Sequence, residues 1–370
     1  MKKQRDSGIE LLRIVAMLMV IGVHIFLYGG YFDRACEYND LVKSSAYFLK
    51  LFFRPAVNIF VVITGYFMVR SAFDLKASYK RLLSLYGTVY FYSIVLGIIF
   101  FAGQAHFETS RSDTLVLLRM FLPLTFQEWY FLTDYFLMCL FAPFVNIILQ
   151  KLSKKEYLCL LTISIFVMSI WQYIMNIDPF LQEHCNYGYE GIVNGKNVFS
   201  FLYVYMLGGY VGLHMKPKKR PNFVYLIGIF LCVWANYFIW MNYGEVLNYN
   251  KVAISYTNPF IVSGAVLFLL FFKDLHFHSR LVNLLGSTTI GIYALHEMEY
   301  VRNFIWEKLS FAELDCSNLG TNLLRIFIIM LFVFFTGAII DLLRQQIFKG
   351  IGALWNMGKG IVKKDKGSSL

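Results

Sequence analysis

Apolar residues gather along the chain in ten stretches, centred on residues 9–29, 47–69, 82–103, 129–150, 157–176, 198–214, 223–241, 254–272, 286–305 and 323–343, with polar segments between them. Each approaches the ~20 residues that a helix needs to cross ~30 Å of hydrocarbon. The sixth stretch is short and the ninth carries charges. The pattern predicts an all-α fold: a polytopic transmembrane helical bundle of about ten spans.

Composition sharpens that picture. Hydrophobic residues make up 58% of the 370, aromatic residues 18% and charged residues only 15%, against an apolar share of about 45–50% in soluble domains. So few charges cannot cover a water-facing surface of this size. An ordinary cytosolic enzyme, a disordered chain and a disulfide scaffold are all excluded. A net charge of +11 would fit nucleic-acid binding if the basic residues were clustered together, so their positions decide the matter. With the N-terminus inside, the six cytoplasmic segments hold 22 of the 34 Lys and Arg, and the five opposite loops hold seven. That alternating asymmetry is the positive-inside rule at work, and it predicts that both termini are cytoplasmic. The basic excess reports topology and implies no nucleic-acid partner; the lipid bilayer is the partner the composition calls for.

The N-terminal Met-Lys-Lys-Gln-Arg run before an apolar stretch has the opening of a signal peptide. The stretch is too long for one, contains Arg13 and lacks a small-x-small cleavage site, so a retained first helix is expected. Cys139, Cys159 and Cys232 fall in spans, and Cys36, Cys185 and Cys316 in outer loops. No Cys or His spacing suggests a metal site, and an odd outer number argues against a full disulfide framework. With no repeat or linker visible, a membrane domain over residues 1–350 and a basic cytoplasmic tail over 351–370 are expected.

Ionisable side chains within a bilayer are costly, and each is a functional candidate. Arg13 and His24 lie eleven residues apart, almost three helical turns, and so share a face about 16 Å apart along the axis. One reading makes Arg13 a snorkelling anchor and His24 a packing histidine. The other divides a chemical task between them. An arginine at the inner boundary suits the phosphates of a nucleotide-like carrier, and a histidine deeper in the same groove suits proton abstraction from a hydroxyl. Lys50, Arg54 and Asn58 repeat every four residues and so stack on one helix face; snorkelling accounts for Lys50, while Arg54 and Asn58 lie deeper. Thr64 and Gly65 permit close helix contact. Trp129 and Tyr130 open the fourth span, where an aromatic belt is the ordinary explanation, and Asp134 lies one turn in. In the ninth span His296 and Glu297 fall in the outer half, and Glu299 and Arg302 are spaced to pair with each other. Asp341 reads as a structural partner of neighbouring basic residues.

These segments resemble, in order, the integral-membrane acyltransferase type 3 family. The likeness is carried by Arg13-x10-His24, by Asn58 through Tyr66, by Glu128-Trp129-Tyr130-Phe131-Leu132 with Pro143 downstream, and by Gly291-Ile292-Tyr293-Ala294-Leu295-His296. It covers about residues 5–345. The resemblance implies a ten-helix bundle that passes an acyl group, usually acetyl, from cytoplasmic acyl-coenzyme A to a hydroxyl on an extracytoplasmic sugar or other acceptor. It further implies that Arg13 helps bind the coenzyme A phosphates, that His24 is the essential catalytic residue, and that His296 supports it. Trp129 and Tyr130 followed by Asp134 look closest to members that act in capsule or exopolysaccharide synthesis. Many relatives carry Arg-x-x-Arg before the third span; here Arg81 is followed by Ser84, with Lys80 adjacent. Either Lys80 and Arg81 share the donor-phosphate role or that contact is weaker. The absence of a fused hydrolase-like domain favours a stand-alone enzyme.

The expectation is therefore an O-acetyltransferase of the inner (plasma) membrane. Its co-substrate is acetyl-coenzyme A, held at Arg13, Lys80 and Arg81, and its acceptor is a glycan or lipid-linked sugar. His24, His296 and Asp134 are the catalytic candidates, and Arg54, Asn58, Trp129, Tyr130 and Glu297 line the substrate cavity. No metal is expected. His24 serves either as general base or as a transient acyl carrier. The rival from another class is a non-enzymatic transporter or exporter of a glycan or small solute, which broken helices or inverted repeats would favour.

Overall fold

The computed structural model describes residues 5–103, 109–184, 194–244, 246–247 and 249–367. The described residues contain helices and no strand. In chain order the helices are α1 (Ser7–Leu27), α2 (Tyr31–Cys36), α3 (Asp40–Phe53), α4 (Ala56–Met68), α5 (Leu75–Ala102) and α6 (Asp113–Phe121). There follow α7 (Tyr130–Lys151), α8 (Lys154–Ile165), a π-helical turn (Phe166–Trp171), α9 (Gln172–Ile177), α10 (Pro179–His184), α11 (Val198–His214) and α12 (Val224–Tyr243). The last are α13 (Tyr249–Ala253), α14 (Pro259–Phe272), α15 (Arg280–Gly286), α16 (Thr289–His296), α17 (Glu299–Lys308) and α18 (Leu319–Gly367).

Short polar side chains start these helices where the sequence turns apolar. Asp6 accepts from the Gly8 and Ile9 amides, Asn39 from Val42, Asp74 from Ala77 and Asn197 from Ser200. Ser153 and Glu156 close a reciprocal capping box at α8. Each cap satisfies an N–H that would otherwise lack a partner at the helix start.

Among the described residues, seven helices are long and apolar enough to cross a membrane: Ser7–Leu27, Asp40–Met68 taken across its bend, Leu75–Ala102, Tyr130–Lys151, Lys154–Ile177, Val224–Tyr243 and Leu319–Gly352. Two more apolar helices, Val198–His214 and Pro259–Phe272, are shorter. The ninth expected span, over 286–305, is split at Glu297–Met298 into α16 and α17. The second expected span is likewise not one straight helix. Pro55 has no N–H to give and its ring crowds the preceding turn, so the chain breaks at Arg54–Pro55. The expected single stripe of Lys50, Arg54 and Asn58 is thereby divided among α3, the bend and α4.

The bundle is organised around α1, nearly all of which is buried; it packs against α3, α4, α14, α15, α16 and α18. The tightest crossing joins α4 to α11. A Cβ added at Gly65 would stand 2.0 Å from the Tyr205 carbonyl oxygen, and one at Gly208 would stand 2.1 Å from that of Val62. The expected close contact at Thr64 and Gly65 is present, with the Thr64 hydroxyl 2.9 Å from that of Tyr135. The final helix meets α16 through Asp341, which accepts from Arg344 (2.7 Å), Gln345 (2.8 Å) and Tyr92 (2.9 Å). Asp341 is structural, as its sequence position suggested. Cys36, Cys139, Cys159, Cys232 and Cys316 are free thiols, and Cys185 lies outside the described residues.

Candidate functional site

Among the described residues, two cavities carrying charged side chains open beside α1, one near each end. The first, about 260 Å³, lies toward the C-terminal end of α1 and is lined by His24, Tyr28, Arg54, Tyr130, Lys196, Lys251, Tyr256, Tyr293 and Glu297, among others. The second, about 230 Å³, lies toward the N-terminal end; its lining includes Arg5, Arg13, Thr64, Tyr135, Ser287, Thr289 and Tyr293. Tyr293 belongs to both walls. Arg13 and His24 thus face a common side of α1, as the eleven-residue spacing requires, but each has its own chamber.

His24 is reached through the helix break after α16. That break leaves Glu297 at the end of α16, where its Oε2 comes 3.2 Å from His24 Nε2 and its Oε1 accepts from Arg302 at 3.2 Å. The carboxylate therefore sits between an imidazole and a guanidinium. The His296 ring lies 5.1 Å from that of His24 between centroids. His296 Nδ1 is 2.5 Å from the Ile292 carbonyl oxygen, which can only accept. That hydrogen bond assigns the proton to Nδ1 and leaves Nε2 as a lone pair. Both His24 Nδ1 and His296 Nε2 are buried without a hydrogen-bond partner among the described residues. Glu297 Oε2 is also buried without a hydrogen-bond partner among the described residues, so its approach to His24 Nε2 is a charge contact.

The Arg54 guanidinium reaches the first cavity from the bend before Pro55. Its Nε donates to the Ile254 carbonyl, and the group stacks 4.1 Å over the Tyr256 ring. Tyr130 donates its hydroxyl to that of Tyr256 at 2.9 Å, while Lys196 lies 4.6 Å over the Tyr130 ring. Asn58 is buried behind this wall and holds the Tyr256 carbonyl at 2.8 Å, so it positions the lining without joining it.

Other expected residues stand elsewhere. Trp129 and Asp134 are buried but line neither cavity. Lys80 and Arg81 are exposed near the start of α5 and line neither cavity; Arg81 bonds back to the Ala77 carbonyl at 3.3 Å. Beside Arg13 the lining cation is Arg5, and Arg13 is 3.1 Å from Glu10. Lys50 turns away, its ammonium 3.4 Å over the Phe32 ring. The expected pairing of Glu299 with Arg302 is replaced. The break at Glu297–Met298 lets Arg302 reach back to Glu297, while Glu299 pairs with Arg111 and accepts from Thr109 at 2.9 Å. Sequence reasoning missed Tyr28, Tyr256, Lys196 and Lys251, which sit at a helix end, in loops or in the five-residue α13, where no periodicity singles them out. Tyr293 was visible only as part of the quoted Gly291–His296 segment.

The comparisons with known proteins bear on this arrangement. An amino-acid racemase from Enterococcus faecalis is 23% identical over 308 residues, covering 81% of this chain. The chain spans 42% of that curated relative's length, so more than half of the relative lies outside the match. No solved structure matches the chain. The family model described as an acyltransferase domain matches residues 6–342, which takes in both cavities and every helix that forms them, and the chain belongs to the acyltransferase type 3 family.

Proposed function

We propose that this protein is a membrane-embedded O-acyltransferase, with acetyl-coenzyme A as donor on the cytoplasmic side and a hydroxyl of a cell-surface glycan or lipid-linked sugar as acceptor on the other. The observation that carries the reading is the His24–Glu297 contact at the wall of one cavity, with Tyr293 dividing it from a second cavity that holds two arginines. In this reading the chain crosses the bilayer about ten times, including the two short helices and the split α16–α17, with both termini cytoplasmic.

A cavity of about 230 Å³ is too small for a whole coenzyme A but suits the thioester arm. Arg5 and Arg13 then meet phosphate at its mouth, and Lys80 and Arg81 remain available to the nucleotide end in solvent. The acceptor oxygen forms a bond to the acyl carbonyl carbon as its proton passes to His24. Glu297 steadies the imidazolium so formed. The carbon–sulfur bond breaks, and the coenzyme leaves as a thiol with the proton returned from His24.

His24→Ala in membranes given labelled acetyl-coenzyme A and crude glycan acceptor is expected to lose about 10²-fold or more of the transferred label. Undiminished labelling removes His24 from the mechanism. A second reading has an observation of its own: the helix breaks at Arg54–Pro55 and Glu297–Met298 both present charged groups to one cavity, as the broken helices of transporters do. Movement of unmodified solute across vesicles lacking acyl-coenzyme A would favour the transporter.

A further inference from the structure

The first cavity carries an excess of positive charge that proton abstraction does not use. Arg54, Lys196 and Lys251 line it, and among the described residues its one lining carboxylate, Glu297, is already met by Arg302. Arg54 is 9% exposed, and the partners the structure gives it are a backbone carbonyl and an aromatic face. Neither cancels its charge. The Lys196 ammonium likewise rests on the Tyr130 ring, and none of the three cations forms an ion pair among the described residues. Burying a guanidinium without a counter-charge is costly, and the cost falls when an anion enters.

Aromatic residues share this lining. Tyr28, Tyr130, Tyr256 and Tyr293 border the same space, with Arg54 stacked on Tyr256 and Lys196 on Tyr130. Flat aromatic faces beside hydrogen-bonding oxygens suit a sugar ring, whose C–H face is apolar and whose rim is polar. At about 260 Å³ the cavity falls just under the roughly 300 Å³ where ligand pockets begin, room for a sugar unit and not for a polymer.

From this lining we infer that the acceptor is an acidic sugar, bearing a carboxylate or phosphate that Arg54, Lys196 and Lys251 bind while a hydroxyl of the same unit is presented to His24. The inference rests on the acyltransfer reading for what happens at the hydroxyl, but the anion preference itself is a property of the cavity. Arg54 supplies planar, paired donors and the two lysines adjustable point charges. Specificity follows because a neutral sugar leaves the buried Arg54 uncompensated; Lys196 and Lys251 are exposed and add their charge at the cavity wall.

The test uses the full chain in nanodiscs and saturation-transfer NMR, with D-glucose, D-glucuronate and D-glucose 6-phosphate as probes. Either acidic sugar is expected to bind about tenfold or more tightly than glucose, as one well-placed charge-assisted contact would give. The stronger of the two identifies the anion as carboxylate or phosphate. Arg54→Gln and Lys251→Met, each checked for an unchanged gel-filtration profile, should shrink the preference to within about threefold. If Arg54→Gln does not survive purification, Lys251→Met alone decides. Equal binding of all three sugars, or a preference that both variants retain, overturns the inference. Transfer of labelled acetyl to glucose as readily as to the acidic sugars defeats it while leaving the acyltransferase intact; an anion preference without any transfer does the reverse.

Discussion

Glu297 gives the clearest residue-level test, because its two oxygens have different tasks: one lies 3.2 Å from His24 and the other accepts from Arg302 at 3.2 Å. Glu297→Gln keeps the shape and the contact with Arg302 but removes the charge that favours protonated His24. A fall in kcat of about 10²-fold with KM nearly unchanged is expected, since the lost interaction grows only as the proton arrives. An effect on KM alone would show that Glu297 merely shapes the cavity. His296 differs from His24 in having one nitrogen committed to the Ile292 carbonyl. It stands behind His24, outside the lining of the cavity, and so supports the ring without meeting the acceptor.

Among the elements, α4 and α11 depend on the glycines at their crossing. The carbonyl of Tyr205 occupies the place a side chain at Gly65 would need, and it belongs to helix backbone that cannot swing aside. Gly65→Leu should therefore destabilise the bundle by about 1–3 kcal/mol, seen as a lower thermal unfolding midpoint in detergent. A midpoint equal to that of the unaltered protein would mean that the two helices are free to separate. Gly291 is held by the same logic, since a Cβ there would stand 1.8 Å from Asp341 Oδ1 and displace the carboxylate that joins α18 to Tyr92 of α5 and braces Arg344 on its own helix. The two helix breaks have the opposite role. They end regular backbone at Arg54 and at Glu297, and so release those two charged side chains into one cavity.

For the whole molecule the decisive property is topology. Cysteines placed singly at Arg34 and Lys80, in a background whose native cysteines are replaced, should react with an impermeant maleimide from opposite sides: position 34 in intact cells and position 80 only after permeabilisation. Labelling of both from the same side would undo the inside-positive orientation and with it the assignment of donor and acceptor sides. Much of this scale was legible in the linear chain. Bilayer thickness dictates how long an apolar run must be, so helical class and the places of most spans could be read directly, as could the shared face of Arg13 and His24, because helical pitch alone sets it. The bonds from Arg344 and Gln345 to Asp341, within one turn of a single helix, are also local matters. What tertiary structure alone decided is which side chains meet. Tyr256 and Lys196 come from loops and Lys251 from the five-residue α13, none with a usable periodicity; Glu297 reaches His24 across 273 positions of sequence; and the expected pair of Glu299 and Arg302 dissolved because the break at Glu297–Met298 lets Arg302 reach back to Glu297 while Glu299 meets Arg111. Helical periodicity describes one element at a time, whereas a cavity is made by several elements facing one another, and their facing is set only when the bundle packs.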